Sequence, residues 1–328
     1  MRFLYLTDTQ GRGNSPQSRR DDFLATLEAK LREVVEIALE YRVDAILHGG
    51  DFFDIPNPSL PVAWRVIAPF WESRIPVYGV GGNHDFYGYN PETLPRTVLG
   101  FLGQLGAVRL LLPGRPVYFD DGNVRVQVTG QHYHYDIDRR DRRFDYWIKK
   151  NGCDVAIHIV HGMVVERALA PGVPFTTPDQ ILDTEADITL CGHNHLGFPD
   201  VAVGGKYILN PGALVRLTAN PADIARHPQV LLIDLDGGIS YRKIRLKSAP
   251  EGEDVIDRSA ALEAELKARK FSEFVQNVKD SGEFKTVDIG ALIQEIAGRK
   301  SLPGKVRERA LKIISDVQEG MGEGALDA

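Results

Sequence analysis

The sequence predicts an α/β fold: a layered αββα sandwich of two mixed β-sheets flanked by helices, with a small helical C-terminal region. Three observations predict it. Short aliphatic and β-branched runs alternate with helix-period stretches early in the chain and follow one another more closely later. Polar residues collect in glycine-containing turns directly after the strands, and the strand signal vanishes beyond about residue 250.

In order, residues 2–7 read as a strand. Residues 21–41 read as a helix, because Leu24, Leu27, Leu31, Val34, Val35 and Ala38 recur at spacings of three or four. Further strands are expected at 44–48, 75–80, 124–129, 154–160, 188–191, 207–209, 230–235 and 239–244. A boundary near residues 248–252 separates a domain at 1–247 from a helical region at 251–328. There, 259–278, 287–299 and 302–320 carry helix-period sequence, although Leu262, Leu266, Phe271 and Phe274 do not sustain a heptad.

Composition narrows the function classes. With 328 residues, 43% hydrophobic and 26% charged, the chain suits an ordinary soluble globular protein able to bury one large core or two modest ones. The N-terminal apolar run meets Asp8 at once, without the length or cleavage site of a signal peptide. No segment approaches the roughly 20 apolar residues of a membrane span, so a cytoplasmic protein is expected. Cys153 and Cys191 sit at or inside apolar runs, which suits buried thiols better than a disulfide or a zinc site. A net charge of −6 argues against coating nucleic acid by bulk electrostatics, leaving the basic run at 139–143 as a local contact candidate.

The chemistry is concentrated at strand ends, where α/β sheets bind ligands. Five turns stand out: Asp8-Thr9-Gln10-Gly11, Gly49-Gly50-Asp51-Phe52-Phe53-Asp54, Gly81-Gly82-Asn83-His84-Asp85, His161-Gly162 and Gly192-His193-Asn194-His195. Together they offer carboxylate, amide oxygen and imidazole, a donor set for manganese, iron or zinc, with no thiols nearby to build a structural zinc cage. Two ions suit the set better than one. A carboxylate can bridge a pair held roughly 3.5–4 Å apart, which can activate a water and neutralise phosphate oxygens; Asp51 is the bridging candidate.

These five motifs, in this order, resemble the signature of the calcineurin-like metallophosphoesterases, D-x-H, G-D-x-x-D, G-N-H-D/E, H and G-H-x-H, over residues 1 to about 217. The resemblance implies that Asp8, Gln10, Asp51 and His195 hold one metal and that Asp51, Asn83, His161 and His193 hold the other. His84 is then left to serve the substrate phosphate, with Asp85 orienting it. The first motif departs from the pattern, since Gln10 stands where a histidine is usual; an amide oxygen is a poorer donor than imidazole toward zinc or manganese, so that site should bind more weakly.

Within the superfamily, the stretch through Asp54 and the segment Asn210-Pro211-Gly212-Ala213-Leu214-Val215-Arg216 resemble the SbcD type of DNA-repair nuclease. That family cuts DNA with two manganese ions beside an SMC-like ATPase of the SbcC type, for which the region 251–328 is the expected docking segment; a homodimer is compatible with this reading. Two other readings stay open: a phosphatase or cyclic-nucleotide phosphodiesterase acting on a small substrate, and a catalytically weak scaffold for an ATPase.

Other polar residues have plainer readings. His48 and His158 are expected as satisfied core histidines, and His227 and Arg216 as surface residues. His132, His134 and the rings around them suit either packing or base stacking, and Asp54 either capping or support of the site.

Overall fold

The computed structural model describes residues 1–167 and 172–259; beyond residue 259 the expected C-terminal helices lie outside the described residues. Among the described residues twelve strands are present: β1 (Arg2–Leu6), β2 (Ala45–His48), β3 (Val77–Gly79), β4 (Arg109–Leu110), β5 (Val117–Asp120), β6 (Arg125–Gln131), β7 (Val155–Val160), β8 (Ile188–Cys191), β9 (Val201–Val203), β10 (Lys206–Leu209), β11 (Gln229–Asp234) and β12 (Ser240–Arg245). They form two six-stranded mixed sheets, ordered β12-β11-β1-β2-β3-β4 and β5-β6-β7-β8-β10-β9. The helices are α1 (Phe23–Glu40), α2 (Leu60–Ser73), α3 (Val98–Gln104) and the single turns α4 (Arg143–Tyr146), α5 (Pro221–Ala225) and α6 (Gly252–Val255).

Side-chain alternation along the strands builds the layers. Phe3 and Tyr5 of β1, Ala45 and Leu47 of β2, Ile157 and Ile159 of β7 and Ile188 and Leu190 of β8 share one cluster between the sheets. The alternate residues Leu4, Leu6 and Ile46 face a second cluster with Leu27, Leu31 and Val34 of α1 and Val66, Ile67 and Phe70 of α2. On the far side of the other sheet, Val160, Cys191 and Ile208 pack with Ile137, Tyr146 and Ile181. This is the four-layer arrangement expected from the sequence.

Helix α1 starts where Asp22 accepts a hydrogen bond from Ala25 N at 3.0 Å, and its predicted stripe is buried. Helix α2 was not legible in the sequence. Pro61 is favourable at a helix start, but Pro69 lies inside and has no N–H to give the turn before it; burial of Val62, Val66, Ile67 and Phe70 offsets that loss. The pairings of β4, β5 and β9, short and partly exposed, likewise left no clear pattern.

Past the expected boundary the chain stays with this unit: Val255 and Ile256 pack on Ile224, and Arg20 N donates to Val255 O at 3.0 Å. Arg216 is buried, not superficial, because its guanidinium is needed there: it donates to Arg226 O and Pro250 O. His227 is half-buried and hydrogen-bonded to Leu246 O at 2.8 Å. Cys191 is buried as expected, whereas Cys153 is only partly so.

Candidate metal centre

The loops after β1, β2, β3, β7 and β8 meet at one end of the sandwich. Backbone bonds lace them together: Asp8 N donates to Gly50 O, Gln10 N to Asp51 O and Leu214 N to Thr7 O, each at 3.0 Å. Glycines make the close approach feasible. A Cβ on Gly82 would lie 2.6 Å from Asp51 Cγ, and Gly50, at φ +102°, sits against His161. Asp8, Gln10, Asp51 and His193 all hold positive φ of 48–73°, strained for residues with side chains. Four of the expected ligands are thus held in backbone conformations that ordinary packing does not favour, as a constrained functional site requires.

Two groups of donors converge. Asp51, His161 and His193 place ligand atoms within 4.8 Å of one another, and so do Asp8, Asp51 and His195; Asp51 belongs to both. Asn83 joins the first group, its Oδ1 3.1 Å from His161 Nε2. Gln10 joins the second, its Nε2 donating to Asp51 Oδ2 at 2.7 Å and lying 3.5 Å from His195 Nε2. The sequence-predicted ligands Asp8, Gln10, Asp51, Asn83, His161, His193 and His195 therefore come together.

The electrostatics suit a cation. Asp8 and Asp51 are fully buried, a location that opposes their ionisation, yet His195 beside Asp8 and His161 beside Asp51 hold both carboxyls below the usual range. Burial likewise disfavours a charged His161, but Asp51 at 3.5 Å and Asp8 outweigh it and raise the imidazole to about 9. Burial and the nearby His161 push His193 down to about 4, leaving a neutral ring with a free lone pair. Positive charge is thus demanded by two buried carboxylates, and a divalent ion competes for it with protons on His161 and His195.

Local bonds orient the donors. His161 Nδ1–H donates to Gly49 O at 2.7 Å, which turns Nε2 toward the centre, the usual support for a metal-binding imidazole. Gln10 Oε1 is buried without a partner. Amide oxygen and nitrogen occupy similar volumes, so rotating this amide half a turn would present the orphaned oxygen to the centre, where an ion could satisfy it. The donor chemistry and this unsatisfied oxygen both fit the two-metal assignment.

His84 borders the centre without joining either donor group. Its backbone N–H donates to Asp51 Oδ1 at 2.9 Å, and its Nδ1–H donates to Asp54 O at 2.9 Å, fixing the ring with Nε2 free. The orientation expected from Asp85 therefore comes from the Asp54 carbonyl. Asp85 instead accepts from Gly82 N, Phe52 N and Phe53 N at 2.9–3.2 Å, stitching two loops together, while burial and the charge of Asp51 push its carboxyl up to about 7.

The neighbouring histidines His48 and His158 are structural. His48 stacks on Phe52 and uses both nitrogens, accepting from Gly50 N and bonding Thr9 Oγ1. His158 bridges Thr129 Oγ1 and Asp145 O, each at 2.9 Å. His132 accepts from Gly81 N, and His134 pairs with Asp145.

Sequence reasoning missed a set of basic side chains behind the centre. Arg226 donates to Ala213 O and Val215 O, Lys30 to Leu214 O at 2.7 Å and Arg19 to Arg216 O at 3.2 Å, so consecutive carbonyls are each held by a side-chain N–H donor. This fixes the loop whose Ala213 N donates to His195 O at 2.9 Å. One signal was available: Lys30 is the charged residue inside the apolar stripe of α1.

Known proteins bear on the same region. The calcineurin-like phosphoesterase family model matches residues 1–197. The DNA double-strand break repair protein Mre11 of Methanosarcina mazei is 32% identical over 258 residues, covering 74% of this chain and 38% of that protein. Its counterpart in Halobacterium salinarum is 28% identical over 223 residues, covering 64% of this chain and 50% of that protein. The chain thus spans half or less of the length of these relatives. Calcineurin-like phosphoesterase YfkN from Bacillus subtilis superposes with a TM-score of 0.47 at 13% identity, covering 84% of this chain and 98% of that one. The matched span holds β1–β8, four strands of each sheet, and takes in every donor from Asp8 to His195, and on that match this chain belongs to the calcineurin-like phosphoesterase family.

Proposed function

We propose that this chain hydrolyses phosphodiesters in DNA as a nuclease of the SbcD type, using two manganese ions. The observation that carries this reading is the single Asp51 carboxylate shared by two converging donor groups. Asp8, Gln10, Asp51 and His195 would hold one ion, and Asp51, Asn83, His161 and His193 the other. When bound, such a pair supplies the charge that neutralises phosphate oxygens and activates a water for in-line attack.

The protein's own groups do the rest. The Asp54 carbonyl holds the His84 ring so that Nε2 faces away from its anchor. Once protonated, that nitrogen donates to the departing sugar oxygen. Asp85 keeps the turns carrying Asp51 and Asn83 in register through its three backbone bonds. Gly49 O holds His161 in the orientation that presents Nε2.

DNA is favoured over a small phosphoester because the Methanosarcina and Halobacterium relatives are named as DNA double-strand break repair proteins. An SMC-like ATPase of the SbcC type would dock through the region 251–328, and the assembly would work in the cytoplasm. Among the described residues no helix is long and apolar enough to cross a membrane.

Degradation of linear single- and double-stranded DNA, with manganese and with chelator, tests this reading on the native chain and Asp51→Ala. Manganese-dependent cutting that disappears in the variant is expected. Intact DNA together with rapid hydrolysis of a small phosphomonoester would replace it with the phosphatase reading.

A further inference from the structure

Tyrosine rings stand beside the centre, Tyr133 partly buried and Tyr89 exposed. The Tyr133 ring lies 5.4 Å from His193 and 6.2 Å from His161, centroid to centroid, and 6.1 Å from Tyr89. Tyr133 is tied to the loop after β3 by its N–H to Gly81 O at 3.0 Å, so its position follows that of Asn83 and His84. Tyr133 is half-buried, whereas Tyr89 is 52% exposed despite its size. Two residues beyond Tyr133, Tyr135 is 64% exposed, with the Arg139 guanidinium 4.4 Å over its face. Arg139 also donates to Tyr135 O at 3.1 Å and makes no ion pair with a carboxylate among the described residues.

We propose that Tyr133 stacks the unpaired nucleobase next to the scissile phosphate, that Tyr89, its ring inclined at 70° to Tyr133, borders the edge of that base, and that Tyr135 with Arg139 receives the adjoining unit of the strand. This rests on the nuclease reading above and assigns it a substrate form. A base inside a duplex has both faces covered by its neighbours, so only an unstacked base can meet these rings. The tyrosines are positioning residues that favour single strands and frayed ends over closed duplex. Arg139, without a carboxylate partner among the described residues, complements the phosphate that each added nucleotide brings.

The test compares binding of a short oligothymidine with an abasic oligonucleotide of the same length, which keeps the phosphates and lacks the bases. The full chain is used with chelator present, so that no strand is cut. Stacking is worth about 1–3 kcal/mol per base, so the native chain should bind oligothymidine roughly 5- to 150-fold more tightly than the abasic strand. Tyr133→Leu combined with Tyr89→Ala should erase that ratio, and Tyr133→Phe should keep it. Circular dichroism verifies folding of each variant. Equal native affinity for the two strands, or a ratio that survives in the double variant, overturns the proposal. Base-dependent binding without manganese-dependent cutting would leave the tyrosine assignment standing and remove the nuclease reading instead.

Discussion

Gly82→Ala adds one methyl group and removes no functional atom, yet it should disable both metal sites. The native backbone there, φ −93° and ψ −179°, is open to alanine, so any effect comes from space alone. The new Cβ would stand 2.1 Å from Asp51 Oδ1, 2.6 Å from Asp51 Cγ and 2.5 Å from Asp51 N, whereas ordinary contact begins at 3.4 Å. Relief requires the Asp51 carboxylate oxygen to retreat by about 1.3 Å, several times the ~0.2 Å tolerance of a metal–ligand distance. Because Asp51 belongs to both donor groups, the two sites should weaken together. Displacement of this order costs roughly 10- to 100-fold in metal affinity and about 100-fold in turnover. The overpacking should add about 1–3 kcal/mol of destabilisation. Calorimetric titration with manganese reads the first quantity and chemical denaturation the last. Two ions bound with native affinity by a folded Gly82→Ala would refute the reasoning.

Three further outcomes follow from the same geometry. His84→Ala should lower turnover by roughly 10²- to 10⁴-fold while manganese content stays native, since the backbone N–H to Asp51 survives the change; loss of metal would place His84 among the ligands. Gln10→His should tighten the weaker manganese site and raise the proton release that accompanies binding, both measurable by titration in buffers of different ionisation enthalpy; unchanged affinity would show that the amide oxygen is already an adequate donor. His158, pushed down to about 4 by burial, gains a proton more readily in the unfolded chain than in the folded one. Stability should therefore be full above about pH 6.5 and fall as pH drops toward 4, by up to roughly 3 kcal/mol for this residue; His158→Gln should flatten that slope in pH-dependent denaturation.

The site was more legible than the scaffold around it. Metal-type donors must stand at strand ends where loops can converge, and close approach there demands glycine, so Gly49, Gly82 and Gly192 mark the turns before the ligands are known. The long strands β1, β7 and β11 were readable because burial on both faces leaves continuous apolar runs. Helix α2 was hidden because tertiary burial overrides Pro69, a local signal of the opposite sense. The role of Asp85 was misjudged from adjacency to His84: its carboxylate faces backbone N–H groups from another loop, a relation no spacing reveals. Arg216 looked superficial for the same reason, since its carbonyl acceptors come from residues 226 and 250.

The central claim is a two-ion centre with one shared carboxylate. Equilibrium titration of the native chain and Asp51→Asn with manganese, followed by calorimetry, tests it most directly. The account predicts two binding events in the native chain and the weakening of both in the variant. A single native event, or a variant that loses one site and keeps the other at native affinity, would contradict it.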